Sequence, residues 1–345
     1  MIKPEERKKF QDFLGKISKK SRVGIFSDSD LDGITSAIFM EEILKEKGIT
    51  PVEVIFLDHK YDVIDKVNEI ILKNKMDKLI ILDFNIDNQD ASEFKKIQEK
   101  YDTLLVDHHP LNPEVKDLKW IIKTKSEDCV ALNLYLLGES LSKSKKWGWL
   151  LSTTMISEFS YLDEENFNFL KKIYPDLTKE NIRDSEPGKI LEKLGSLIIY
   201  NKNDFKKSYN IIKEKKFQEL DKVDIIVKKE VQNYIKKFTE EAEKNPKKES
   251  VFLCFKSDLE ICNSVTTMVS MNDFSKTFIG MDIKGKEFVR ISFRNQSGKV
   301  DMGKIAKSLL EDLEKTTYGG HVKAAGGMFL KKDFDEVLKR LEKLE

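Results

Sequence analysis

The sequence predicts an α/β protein: a doubly wound parallel sheet, a helical connector, and a smaller C-terminal α/β domain. Three observations predict it. Short apolar runs alternate with helix-like stretches through the first third of the chain. Acidic and histidine residues recur directly after those runs. A polar turn signal, Asn245-Pro246-Lys247-Lys248, separates a long charged helical stretch from a fresh set of strand-like runs.

Glu5 to Ile17 reads as a leading helix. Val23–Phe26 is a strand, followed by a helix from Ile34 to Lys47. Val52–Leu57 is a second strand, with a helix from Asp62 to Asn74. Lys78–Leu82 is a third, apolar almost throughout, as a strand covered on both faces must be. A helix from Ala91 to Lys100, a strand at Thr103–Val106 and a fifth strand at Trp120–Ile122 complete the alternation. Parallel strands joined in this way take right-handed crossovers. Asp128 is read as the cap of a helix to Leu141, and Trp147 to Tyr161 as a second apolar helix. Asp163 to Lys248 is helical and lysine-rich, with one long helix from Phe217 to Glu243; the lysines read as a solvated face. Beyond Ser250 come strands at Val251–Phe255, Lys276–Met281, Glu287–Phe293 and Met328–Leu330, the second and third joined as a hairpin through Lys284-Gly285. Helices are expected at Asp258–Met271, at Met302–Leu313 and from Phe334 onward. The expected domains are 1–162, 163–249 and 250–345.

The 345 residues carry 61 basic and 60 acidic side chains, a net charge of +1, so the bulk charge does not mark a nucleic-acid binder. Cys129, Cys254 and Cys262 fit no metal-ligand spacing and read as reduced thiols of a cytoplasmic protein. No run approaches the roughly 18 apolar residues of a membrane span.

The chemistry gathers around Ser27-Asp28-Ser29-Asp30-Leu31-Asp32-Gly33, where three carboxylates alternate between a strand end and a helix start. Hard divalent cations take oxygen ligands, and such a cluster needs a counter-charge; a polar turn with an Asp cap is the competing reading. Gly33 lets the backbone turn sharply there. Asp83 ends the third strand, and Asp107-His108-His109 follows the fourth. In a parallel sheet these ends share one edge, where ligands bind, so convergence favours a metal crevice over three unrelated caps. Glu158 is the sole acid between Trp147 and Leu162. It is costly to bury without a partner or metal, and otherwise faces solvent at a helix end. In Tyr318 to Gly327, paired glycines allow backbone N–H groups to converge on an anion, with His321 and Lys323 as further donors; a tight turn is the alternative. Arg294 is a second phosphate candidate, or an exposed hairpin arginine.

Asp28-Ser29-Asp30-Leu31-Asp32-Gly33, Asp83-Phe84-Asn85, Asp107-His108-His109 and Gly319-Gly320-His321 with Ala324-Ala325-Gly326 resemble, in order, the signature motifs of the DHH phosphoesterase superfamily. The C-terminal part resembles the DHH-associated domain. The D-x-D-x-D-G form is similar to the RecJ nuclease branch, and the compact length and charged helical middle to its archaeal members. The resemblance implies a two-metal phosphodiesterase, manganese-dependent with magnesium as the alternative, and an active site between two domains. It implies that Asp28 and Asp30 hold one ion, Asp32 the other, that Asp83 bridges them and that His108 ligates the second. Asp107 orients the histidines and His109 faces the scissile phosphate. Glu158 stands where the family presents Asp, which shifts that ligand by a methylene. Gly319, Gly320 and His321, with Arg294 and Lys323, hold the substrate's phosphate or terminal nucleotide. The implied activity is exonucleolytic hydrolysis of single-stranded DNA or RNA to nucleoside 5′-monophosphates. Two rivals accompany it: a nanoRNase-like or cyclic-dinucleotide phosphodiesterase, and a non-catalytic scaffold docked on replication helicase-accessory proteins.

Overall fold

Five parallel strands organise the N-terminal part of the protein: β1 (Val23–Asp28), β2 (Glu53–Leu57), β3 (Lys78–Leu82), β4 (Asp102–Asp107) and β5 (Ile121–Lys123). The computed structural model describes residues 2–57, 63–202, 204–244 and 246–343. Asp62, at the expected start of a helix, and Asn245, in the turn signal, lie outside them. The chain packs as two units, Met1–Leu220 and Asp221–Glu345.

The strand order in the first unit is β2-β1-β3-β4-β5. It reverses direction between β1 and β3, the switch point at which open α/β sheets leave a crevice. Every residue of β1 is buried, and so are Leu79 to Leu82 of β3. The apolar run at 78–82 is thus a central strand with both faces covered. Helix α1 (Pro4–Lys16) precedes β1, and α2 (Leu31–Glu46), α3 (Val63–Asn74), α4 (Ile86–Gln89) and α5 (Ala91–Lys100) fill the crossovers. On one face, Val63, Val67 and Ile71 of α3 and Phe94 and Ile97 of α5 bury against Phe26, Leu79, Ile81 and Leu105. Each such side chain contributes roughly 1.5–3 kcal/mol on burial.

α2 is buried nearly all round, which fits its weak amphipathicity: Ile34, Ile38, Phe39, Met40 and Leu44 are all inside. The cover comes from α6 (Val130–Leu137) and α8 (Gly148–Ser157), with α7 (Glu139–Lys143) between them in sequence. α6 differs from the expectation in its start. Cys129 holds the cap position, and Asp128 instead accepts from Asn166 Nδ2 at 3.0 Å. The N–H groups at the start of α6 are satisfied by Asp32, from α2. α8 stops at Ser157, so Glu158 caps its C-terminal end, and Phe159 follows in the left-handed region at φ 54°.

α9 (Glu164–Ile173), α10 (Glu186–Tyr200), α11 (Phe205–Lys213) and the start of α12 (Phe217–Lys244) complete the first unit. Phe217 meets the Trp149 ring edge-on at 5.4 Å.

The second unit is a five-stranded sheet in the order β6-β7-β8-β10-β9, built from β6 (Ser250–Phe255), β7 (Thr277–Asp282), β8 (Phe288–Arg294), β9 (Thr317–His321) and β10 (Ala324–Leu330). Only β6 and β7 run parallel. Along α12, Tyr234 stacks on Phe255 at 4.5 Å and Phe238 meets Phe278 at 5.8 Å. α13 (Cys262–Asn272) begins four residues later than expected. Asp258 stays out of the helix, and Ile261 takes the cap position. α14 (Met302–Leu310) and α15 (Phe334–Glu342) close the core over Met281, Ile291 and Phe293.

The glycine-rich stretch is a correction to the sequence reading. It is a hairpin, not a loop followed by a short strand: Gly319 stands opposite Gly326 and Gly320 opposite Ala325. Small residues on both strands let the ladder close across Val322-Lys323. Cys129, Cys254 and Cys262 are free thiols, as expected of reduced cysteines.

Candidate metal centre

The carboxyl ends of β1, β3 and β4 set the site, because each strand delivers an acid at its last residue or just beyond it. Asp28 closes β1, and Asp30 caps α2, its side chain accepting the Gly33 N–H at 2.9 Å. The turn is as tight as the sequence suggests. A Cβ on Gly33 would lie 2.2 Å from the Asp28 carbonyl oxygen, and Ser27 Oγ donates to the Gly33 carbonyl at 2.7 Å. Asp32 points inward with no exposure and accepts the N–H groups of Val130 at 2.7 Å and Ala131 at 2.8 Å. One carboxylate thus ties the start of α6 to α2.

Asp83 follows β3 in the left-handed region at φ 53°, a conformation that Asp tolerates better than most residues. Its N–H donates to the Val106 carbonyl at 2.9 Å, which fixes it against β4. Ligand atoms of Asp83, His108 and His109 lie within 4.8 Å of one another. His108 Nε2 is 3.4 Å from Asp83 Oδ1, but the contact is not aligned as a hydrogen bond. Asp83 Oδ1 and His108 Nδ1 are both buried without a hydrogen-bond partner.

The remaining acids reach the same place. Burial, followed by the neighbouring Asp32, Asp30, Asp107 and Asp28, pushes Asp83 well above the ordinary carboxylate range. Burial and Asp28 also push Asp30 up, and the Asp30 and Asp83 carboxyls are within hydrogen-bonding reach. Burial and Asp30 push Asp32 up to about 7. Burial, with Asp32 and Asp30, pushes Glu158 up to about 8. Glu158 is half-buried, and the charges of Asp32 and Asp30 reach it. Among the described residues, none of the charges acting most strongly on Asp30, Asp32, Asp83 and Glu158 is a lysine or arginine. Acids gathered with only the His108 imidazole to offset their charge, and with Asp83 Oδ1 and His108 Nδ1 buried and unpartnered, fit a bound cation. The mixture of carboxylate and imidazole donors suits Mn²⁺ and also accommodates Mg²⁺.

Asp107 is set apart from this cluster. Its Oδ1 accepts from the His108 N–H at 2.8 Å, the His109 N–H at 3.3 Å and His109 Nδ1 at 2.8 Å. Its Oδ2 pairs with Lys123 Nζ at 2.6 Å. Burial alone would raise its pKa; the His109 hydrogen bond and the Lys123 charge outweigh burial and hold it down at about 2. The same hydrogen bond holds the His109 pKa above its ordinary value. Lys123, and Asp87 which shares it, are not among the residues the sequence singles out. A signal existed: Lys123 directly follows the Ile121-Ile122 run, the same strand-end position that singles out Asp28, Asp83 and Asp107.

The other candidates belong to the second unit. Arg294 is half-buried, not an exposed hairpin residue. Its Nε donates to Thr267 Oγ1 at 3.0 Å and its Nη1 to the Phe293 and Ala325 carbonyls at 2.8 and 3.1 Å. Gly319, Gly320, His321 and Lys323 are exposed, on β9 and at the hairpin turn.

An acid–imidazole cluster at the switch point of a parallel sheet, joined in sequence to a small mixed-sheet unit, defines the class of protein. Two family models match it: "DHH family, N-terminal domain" over residues 22–158 and "DHHA1 domain" over residues 256–344, together more than half of the chain. The chain thus carries a DHH N-terminal domain and a DHHA1 domain. Its fold is RecJ-like. It is similar to exonuclease RecJ bound to manganese, with TM-score 0.74 and 16% identity, covering 100% of this chain and 95% of that one. It is also similar to RecJ in complex with Mn²⁺ from Thermus thermophilus, with TM-score 0.72 and 15% identity; here 100% of this chain matches 55% of that one. CDC45 from Entamoeba histolytica shares the fold more distantly, with TM-score 0.51 and 11% identity over 98% of this chain and 97% of that one. No curated protein matches the sequence. No described helix is long and apolar enough to cross a membrane.

Proposed function

We propose that this protein is a metal-dependent phosphodiesterase, a RecJ-like exonuclease that hydrolyses single-stranded DNA or RNA to nucleoside 5′-monophosphates. The observation that carries the reading is the cluster built on the buried Asp32 and Asp83 with the half-buried Glu158 and His108 and with Asp30 at its open edge, gathered without a lysine or arginine among the charges acting most strongly on the acids. Asp28, Asp30, Asp32, Asp83, His108 and Glu158 would hold two divalent ions, Mn²⁺ or Mg²⁺. Such ions, when bound, supply Lewis-acid activation of water and of the phosphate.

The chain's own residues do the rest. Asp107 takes the Nδ1 side of His109 and leaves Nε2 free to donate to a phosphate oxygen. The raised His109 pKa keeps that proton in place as negative charge develops. In the second unit, Arg294, His321 and Lys323, with the backbone at Gly319 and Gly320, bind the phosphates of the strand. The full set of candidate ligands speaks against a non-catalytic scaffold. The all-helical stretch between the matched domains, α9 to α12, supports the archaeal type within the RecJ-like group.

The test is hydrolysis of 5′-labelled and 3′-labelled single-stranded DNA and RNA with Mn²⁺, beside an Asp83→Ala control. Mononucleotide release that disappears in the control is expected. Fast cleavage confined to dinucleotides and trinucleotides would shift the reading to a short-oligomer phosphodiesterase. No release from any substrate, with Mn²⁺ bound by calorimetry, would leave the scaffold.

A further inference from the structure

We infer that Lys123 is a positioning residue, clamping the loop that carries His108 and His109 through Asp107 on one side and Asp87 on the other. The inference rests on the proposed phosphodiesterase reading for its catalytic consequence, but its geometry stands apart from any metal. Lys123 is a buried lysine, its side chain 6% exposed, at the end of β5. Its ammonium lies 2.6 Å from Asp107 Oδ2 and 2.8 Å from Asp87 Oδ1, and both carboxylates are wholly buried. Asn85 Oδ1 at 3.4 Å and the Pro110 carbonyl at 3.5 Å complete its surroundings.

Asp87 belongs to α4, the single turn after Asp83, and it grips the far end of the same loop. Its Oδ2 accepts the Asn112 N–H at 2.9 Å, and its carbonyl accepts Asn112 Nδ2 at 2.9 Å. Asn88 Nδ2 donates to the Pro110 carbonyl at 2.7 Å. The loop is thus held before His108 by Asp107 and after His109 by Asp87, and the Lys123 ammonium joins the two anchors.

The charges explain why a lysine is needed. A buried carboxylate is costly unless an opposite charge and hydrogen bonds compensate it. Lys123 is the one ammonium that both carboxylates share, and Asp107 is also hydrogen-bonded to His109 Nδ1 at 2.8 Å. With a neutral side chain at 123, Asp107 Oδ2 and Asp87 Oδ1 would both lose their ammonium partner. Asp107 would then be drawn from its fixed pose, and the His109 ring would lose its direction. A group held within hydrogen-bond reach of two anchors keeps a catalytic side chain in the narrow geometry that reaction requires.

The test separates aim from mere stability. Lys123→Met leaves two buried carboxylates under-compensated and is open to misfolding, so it is paired with the double variant Lys123→Met/Asp87→Asn, which removes one charge of each sign. The expected result for the double variant is a melting temperature and Mn²⁺ affinity near those of the wild type. Its kcat on single-stranded oligonucleotides should be at least about 10-fold lower at an unchanged KM, the lower end expected for an outer-shell change. A readout independent of turnover is the His109 Nδ1–H signal in proton NMR of the metal-free protein. It should be slowly exchanging in the wild type and lost in the double variant. A double variant that keeps both the His109 signal and the wild-type kcat overturns the inference. If the wild type proves inactive, the phosphodiesterase reading fails, while loss or retention of the His109 signal still decides the role of Lys123.

Discussion

Asp83 and Glu158 are two acids of one cluster, yet they answer different substitutions. Asp83 sits where three strand ends meet, with one oxygen unpartnered and His108 beside it. Asp83→Asn keeps the shape and the left-handed backbone but removes the charge. Mn²⁺ affinity measured by calorimetry should fall by at least about 100-fold, beyond the usual 10–100-fold cost of an outer-shell change. Glu158→Gln should act with opposite signs on two quantities. Glu158 is pushed up to about 8 by burial and its acidic neighbours, so its ionised form opposes folding. The metal-free variant should melt higher than the wild type, by on the order of 1–3 kcal/mol at neutral pH, while Mn²⁺ binds more weakly. A variant that binds Mn²⁺ as tightly as the wild type would remove Glu158 from the ligand set. The sequence made the identity of these acids legible, because each follows an apolar strand run or stands alone in an apolar helix. Lys123 and Asp87 were harder to see, since a lysine or an aspartate beside a strand end is ordinarily solvated, and only folding brings the two within 2.8 Å.

At the scale of elements, strands proved easier to read than helix starts. The runs at Lys78–Leu82 and Thr103–Val106 match β3 and β4 to within a residue, because burial on both faces demands apolar residues at every position. Helix α6 hid its start, since its first N–H groups are satisfied by Asp32 from another helix and no local cap is present. The glycine-rich hairpin hid because paired glycines serve turns and ladders equally well. Its geometry makes a sharp expectation. Gly320 has φ +148°, and a Cβ there would lie 2.4 Å from the Ala324 carbonyl oxygen. Gly320→Ala should therefore break the pairing of β9 with β10, lowering the melting temperature by an amount equivalent to about 1–3 kcal/mol. Mn²⁺ titration should be unchanged, because the candidate ligands all belong to the first unit. A change in Mn²⁺ affinity would show that the second unit contributes to the metal centre.

For the whole molecule, the metal-free protein should be least comfortable at high pH. A carboxyl whose pKa is raised on folding holds its proton more tightly in the folded state, so ionising it works against the fold. For Asp32 the window runs from 3.8 to about 7, and for Glu158 from 4.5 to about 8. Stability in the presence of a chelator should fall as pH rises from about 4 to about 8. Asp107 runs the other way: its pKa is lowered to about 2, so its contribution is full above 3.8 and fades as pH drops toward 2. Thermal melts in EDTA across this range should peak at mildly acidic pH, and Mn²⁺ should restore the neutral arm; a flat profile would mean that the cluster does not assemble without metal. The strand order has a consequence for biosynthesis. Asp28 lies near the beginning of the 22–158 segment and Glu158 at its end, with β3 and β4 folding between them. A chain emerging from the ribosome cannot complete the ligand set until that whole segment has been synthesised and folded. If the proposed ligands hold metal, charging is a late event in the life of each molecule, and truncated translation products carry an incomplete set.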